Sequence, residues 1–274
     1  MELRRHLRIM TMLMKMKVIR TMAFRFSFFG VTIVDGSLFL VQLLMFSAIY
    51  SQVESIGGWE KSQVLFFIGT FSLINALNMT LYFFGVTTIP NKIRSGQLDL
   101  YVTKPVNTLF YVSFEDVNLG SIPLVLASIG ILVYATPGMN IEITAVKIGG
   151  YILLVTLMTI LYYDMEVILR TIRFFIISAT SIDRIEGELL ELCFKIPGVL
   201  FKRGFKVLFY LVLPYGIMAT LPTQFFKGTL GLPGFLYAIG ITFGFTAFTL
   251  WFWKLGLRNY KSASSWDGLP STKP

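Results

Sequence analysis

The sequence predicts an all-α polytopic membrane protein, with six membrane-spanning helices behind an amphipathic N-terminal helix. Two observations carry that prediction. Of the 274 residues 55% are apolar and only 14% are charged, at a mean hydropathy of +0.70, whereas a soluble domain is about a quarter charged. The charge that is present gathers in short stretches between long apolar tracts. The formal net charge of +9 would point to nucleic acid in a soluble chain. Here the cations sit at the ends of apolar tracts, where the anionic inner face of a bilayer accounts for them and no nucleic acid is needed.

Residues 3–20, LRRHLRIMTMLMKMKVIR, set Arg4, Arg8, Thr11 and Lys15 in one narrow helical stripe, with Leu, Met, Ile and Val over most of the remaining surface. That pattern predicts an interfacial helix over 1–25, its basic stripe toward headgroups or a partner; a solvated helix held by its own protein is the alternative. Seven Lys or Arg spread over the first 25 residues, with no A-x-A site after them, set it apart from a secretory signal.

The first predicted span, Phe26–Tyr50, is broken only by Asp35. At about 1.5 Å per residue it crosses a hydrocarbon core of roughly 30 Å. An acid inside it needs a reason, and its place beside Gly36 reads as interfacial and structural, paired with Arg25 or a neighbouring helix. After an outer loop, Ser51–Lys61, a second uncharged span, Ser62–Ile89, carries Asn75 and Asn78 on one face. They suit a hydrogen bond to a neighbouring helix or the lining of a polar path.

A third span, Val117–Ile141, has Pro123 placed to kink it early and TPGMN at 136–140 to end it. The fourth tract is clean from Ile148 to Tyr163, and beyond it Asp164, Glu166, Arg170 and Arg173 blur the pattern, with Glu166 and Arg170 spaced as an intrahelical pair. SIDRIEGELLELCFKIP then reads as an amphipathic helix ended by Pro197. Lys202, Arg203 and Lys206 place the start of the fifth span, Val207–Phe226, on the inner side, and Pro214 and Pro222 mark it as re-entrant or tilted. The last span, Phe235–Trp253, carries a Gly240/Gly244 pair suited to close helix packing and is followed by Lys254, Arg258 and Lys261.

Several chemistries are excluded by what the chain lacks. One cysteine, Cys193, allows neither an intrachain disulfide nor a cysteine-built zinc site, and one histidine, His6, rules out paired-histidine catalysis. There is no G-x-x-x-x-G-K-[ST], no G-x-S-x-G and no H-E-x-x-H. The chain is therefore not expected to be an enzyme or to hold a cofactor or metal of its own, and any work it does is powered from outside.

Between the second and third spans lies a polar island, Pro90–Pro105, with Lys92, Arg94 and Lys104 against a single acid, Asp99. Its sequence, with the residues that follow, IRSGQLDLYVTKPVNTLF at 93–110, closely resembles the I-R-x-G-x-L-D-x-x-L-x-[KR]-P segment of permeases of the ABC type-2 exporter class. FWKLGLRNYKSASS at 252–265 is similar to the G-L-x-x-Y-x-S-A tail of the same proteins, and LPYGIMATLPTQFFKG at 213–228 to their I-P-[FY] and P-A region. The chain departs from that pattern at Val102 and Thr103, where Leu-Leu is commoner, and at Thr223, where a small residue is usual.

The resemblance implies one transmembrane permease domain over 1–274, with a cytoplasmic coupling segment at 90–110 and a cytoplasmic tail at 262–274. It further implies a multi-pass protein of a prokaryotic cell membrane, in contact with membrane lipid and with both termini inside. Its implied partners are a second permease, identical or paralogous, and two cytoplasmic ATPases that bind ATP and magnesium. Arg94, Gly96, Leu98, Asp99, Lys104 and Pro105 are the implied coupling residues, and a lipid-like, amphipathic or drug-like compound the implied cargo. Two other classes stay open on the residues alone. One is a membrane enzyme acting on a lipid or isoprenoid with Asp35, Asp164 and Glu166 as acids; the other is a scaffold or channel-like protein.

Overall fold

The computed structural model describes residues 58–176 and 180–260, with positions 36, 37, 44, 55 and 56 before them. The predicted interfacial helix with Arg4, Arg8 and Lys15, Asp35 and nearly all of the first span, and the 262–274 tail lie outside the described residues. A short antiparallel ribbon, β1 (Ser55–Ile56) with β2 (Trp59–Glu60), leads into the first long helix. Gly58 takes φ 79° in its turn, a left-handed value that favours glycine.

Helix α1 (Lys61–Leu81) opens with a capping box between Glu60 and Gln63. It stops at Leu81, short of the predicted Ile89, because Tyr82 leaves helical backbone (φ −143°, ψ −17°). The chain continues as three short helices, α2 (Phe83–Thr87), α3 (Ile89–Arg94) and α4 (Asp99–Val102). It then turns back as α5 (Thr108–Phe114), capped by Asn107, whose Oδ1 accepts from the Phe110 N–H at 3.1 Å. A Cβ on Gly85 would stand 2.3 Å from the Ser113 carbonyl oxygen, so only glycine lets α2 lie this close to α5.

The third span is a short 3₁₀ turn (Leu119–Ser121), helix α6 (Ile122–Ala135) and a second 3₁₀ turn (Thr136–Met139), ending at Asn140 in left-handed backbone where TPGMN predicts a stop. Pro123 does not kink it. It lies in the first turn, where its missing N–H has no helical partner to lose. The fourth span, α7 (Ala145–Thr171), runs on through the charged stretch, and Thr144 caps it by accepting from the Lys147 N–H at 3.3 Å.

After α8 (Thr180–Lys195) comes the fifth tract, which is broken. Helix α9 (Arg203–Val207) runs into a π-helical turn (Leu208–Val212), the chain bends 79° around Pro214, and it resumes as α10 (Tyr215–Met218) and α11 (Thr220–Lys227). Pro222 breaks nothing, because it too sits in a first turn. The last helix is α12 (Leu232–Asn259). Four continuous helices among the described residues are long and apolar enough to cross a membrane, and the bent pair makes a fifth tract.

Helix α7 is the hub, with α1, α10, α11 and α12 packed around it. Along its N-terminal half Phe226 stacks on Phe66, ring centroids 4.6 Å apart, with Tyr151 edge-on to both. Thr70 and Tyr151 share a 2.8 Å hydrogen bond, and Lys227 Nζ donates to Gln63 Oε1 at 2.7 Å. Nearer the other end the Tyr82 hydroxyl donates to the Thr159 carbonyl at 2.8 Å. Large apolar side chains left outside, such as Leu126 and Val133 on α6 and Phe243 and Trp251 on α12, would be an aggregation hazard in water. They suit lipid contact. The same open side of α12 carries Gly240 and Gly244, and a Cβ built on either meets nothing within 4 Å. The predicted close packing at that pair is not made among the described residues.

Candidate functional site

At the far end of the bundle the polar island folds into a compact knob. Pro90 lies in the first turn of α3, Gly96 turns the chain at φ 70°, and α4 follows with Asp99 in its first turn. The knob has an inner and an outer side. Leu98 is fully buried, in one apolar cluster with Val86, Ile89, Leu109, Val112, Val167 and Trp253. Outside, Leu100 is 66% and Val102 48% exposed, flanked by exposed Arg94, Lys104 and Pro105. Leu98, an implied coupling residue, thus packs inward against the bundle.

Lys92 also turns inward. Its ammonium pairs with Glu115, donates to Thr88 Oγ1 at 2.8 Å and stands 4.7 Å from the Tyr101 ring centroid. Burial pushes it down to about 8, with the Asp116 carboxylate opposing and Lys104 adding to the shift. Lys104 Nζ rests 4.1 Å from the Tyr111 centroid and 4.9 Å from that of Tyr101. These cation–π contacts hold the outer loop to α4 and α5.

The C-terminal end of α12 closes the inner side. Phe174 lies edge-on to Trp253 and Tyr260, at 5.4 and 6.0 Å between centroids. A Cβ on Gly256 would come within 2.6 Å of the Phe174 ring, so glycine is what allows that ring to lie on α12. The Tyr260 phenol is raised to about 12, first by burial and then by the Asp99 carboxylate. Tyr260, just past α12, also packs into the apolar cluster that holds Leu98 and Tyr101, so the island and the 252–260 segment are neighbours. Two of the three segments that carry the resemblance, 93–110 and 252–265, thus meet through their described residues although they are far apart in sequence.

A second polar group lies inside the bundle. Arg170 on α7 pairs with Glu166 at 2.9 Å, as the i, i+4 spacing predicts, and also with Glu186 of α8, to which the Tyr215 hydroxyl donates at 3.1 Å. All four side chains are buried. Sequence reasoning missed Glu186, although a signal existed: it stands three, four and seven residues before Leu189, Leu190 and Cys193, on one helical face. Asp164 accepts from Thr246 of α12 at 2.6 Å, so it and Glu166 serve different neighbours and do not meet as a catalytic pair. Of the two asparagines, Asn75 accepts from the Tyr162 hydroxyl at 3.4 Å, while the Asn78 carbonyl accepts from the Tyr82 N–H at 3.1 Å and its side chain is buried.

A family model described as ABC-2 family transporter protein matches residues 37–264. The chain belongs to the ABC-2 transporter family. That membership makes it a membrane permease component of an ABC transporter, and association with ABC ATPase subunits in general comes with it. No curated protein and no solved structure matches the chain. As an ABC-2 permease, the protein has in the knob at 89–114 a polar, outward-facing structure anchored to two of its membrane helices, and in the Arg170 group a polar lock inside the bundle.

Proposed function

We propose that this chain is the transmembrane subunit of an ATP-driven exporter of lipid-like, amphipathic or drug-like compounds. It works beside a second permease and two cytoplasmic ATPases, which bind the ATP and magnesium, and both of its termini face the cytoplasm of a prokaryotic cell. The observation that carries the reading is the two-sided knob. Leu100 and Val102 form an apolar bump with Arg94 and Lys104 beside it, which suits a groove with an acidic rim. Behind the bump, Leu98 and Tyr260 join it to α7 and α12, so a push on the knob reaches the membrane through packed side chains.

The enzyme reading loses support, because Asp164 and Glu166 point to separate neighbours. The test is to reconstitute the permease with its ATPase partner in vesicles and replace Arg94 by Glu. Loss of ATPase retention and of ATP-dependent movement of a fluorescent amphiphile is expected. Full retention and transport with R94E would remove the knob from the mechanism.

A further inference from the structure

The bend in the fifth tract leaves features that the coupling knob does not explain. The half after the bend, Tyr215–Lys227, runs alongside α7: Tyr215 meets Tyr162 edge-on at 6.2 Å, and Phe225 lies over Gly150. The half before it, Arg203–Val212, stands at 79° to that direction and so lies across the bundle axis, close to the plane of a membrane. Its depth follows from α7. Tyr162 is about 26 Å along that helix from Ala145, near the far side of a hydrocarbon core about 30 Å thick. This is the end that carries the coupling knob.

An in-plane helix at that depth has a recognisable composition. Phe205, Val207, Leu211 and Val212 are exposed, while Lys202, Arg203 and Lys206 form a basic group at its start. None of the three cations has a carboxylate partner among the described residues. On α8, Arg184 pairs with Glu188 at 3.1 Å and Lys195 with Glu191 at 2.6 Å, each within its own helix. Arg203 is also held at φ 50°, uncommon for a residue with a Cβ, a kind of outlier that clusters at ligand-binding positions. Basic residues on an interfacial apolar helix suit anionic headgroups.

At the other end of this helix there is a cleft. Leu169, Ile185, Glu186, Leu189, Leu213 and Tyr215 line a half-open space of about 110 Å³ whose accessible lining is apolar. Drug-sized ligands fill roughly 300–1,000 Å³, so the cleft takes a length of one hydrocarbon chain, not a whole amphiphile. Lys206 is about 10 Å along the helix from Leu213, within reach of a chain whose headgroup rests on the basic group.

We infer that the bend binds one phosphate-bearing lipid of the inner leaflet, its headgroup on Lys202, Arg203 and Lys206 and part of one acyl chain in the cleft at Leu189 and Leu213. The inference rests on the permease reading for which leaflet is inner, and it does not depend on the ATPase. It deepens that reading by giving a lipid-like molecule a seat on the chain. The basic group supplies selection by charge, and the cleft supplies a place for the chain.

The purified permease, in micelles doped equally with phosphatidylglycerol and phosphatidylcholine, is analysed by native mass spectrometry. The wild-type protein is expected to retain phosphatidylglycerol preferentially. Replacing all three cations by Gln should cut that preference about tenfold or more. The R203G variant, which removes a charge and the left-handed strain together, should lower the preference without loss of thermal stability. Leu189→Trp fills the cleft and should remove one bound lipid, whereas the volume-conserving Leu189→Met should keep it. Unchanged lipid number in L189W overturns the chain seat, and unchanged preference in the Gln variant overturns the headgroup seat. Because no ATPase is present, failure here is separate from failure of the coupling knob, which R94E reports.

Discussion

Replacing Leu98 or Leu100 by Ala separates the two sides of the coupling knob. The two residues are two positions apart and chemically identical, yet Leu98 is fully buried while Leu100 is 66% exposed. For a buried leucine the change to alanine costs about 2–5 kcal/mol, part from lost transfer energy and part from the cavity left behind. The cavity would open between Val86, Val112, Val167 and Trp253, where helices meet from three parts of the chain and collapse around it is restricted. An exposed position away from such a cluster changes stability by no more than about 0.5 kcal/mol. In an interface, a leucine that fills a pocket contributes roughly 1–2 kcal/mol, or about tenfold in Kd.

L98A should therefore lower the melting midpoint of the purified permease, whereas L100A should leave the midpoint alone and weaken ATPase binding about tenfold. Melting is followed by intrinsic fluorescence, and binding by titrating the ATPase onto immobilised permease. The reasoning is wrong if L98A melts like the wild type and loses the ATPase while L100A binds normally. That pattern would mean the knob presents its other side.

Two further outcomes follow from the buried contacts. Arg170→Met leaves Glu166 and Glu186 buried without their shared cation and should cost about 3–5 kcal/mol, while the triple change R170M/E166L/E186L should recover most of it; denaturation midpoints in one detergent compare them, and an R170M protein as stable as wild type would show that the lock bears no load. Gly256→Ala forces the Phe174 ring off α12 and should cost about 1–3 kcal/mol, read as a lowered melting midpoint together with reduced ATPase stimulation; an unchanged protein would mean that the ring moves freely.

The sequence is informative wherever a local rule decides the outcome. TPGMN ends its span, Pro214 marks the bend, Gly96 sits at a positive φ, and the acidic stretch before Pro197 is helical. Prolines mislead where position within the helix matters more than presence. Pro123 and Pro222 both lie in first turns and cause no break, and sequence alone does not say where a first turn begins. Leu98 was illegible for another reason. A four-residue helix has too little periodicity to show which side is buried, and the answer depends on Trp253 and Leu257, at the other end of the chain. Glu186 stood on the apolar face of its helix and could have been suspected, but its partners on α7 and α10 are tertiary choices.

The contact between the island and the tail bears on the order in which this protein is made. Leu98 leaves the ribosome long before Trp253, Leu257 and Tyr260 exist, so the cavity it fills has no wall on that side until the last helix is synthesised and inserted. A nascent or truncated permease would carry the whole motif at 93–105 and still present it loosely. Packing of α12 is then what stiffens the island around Leu98.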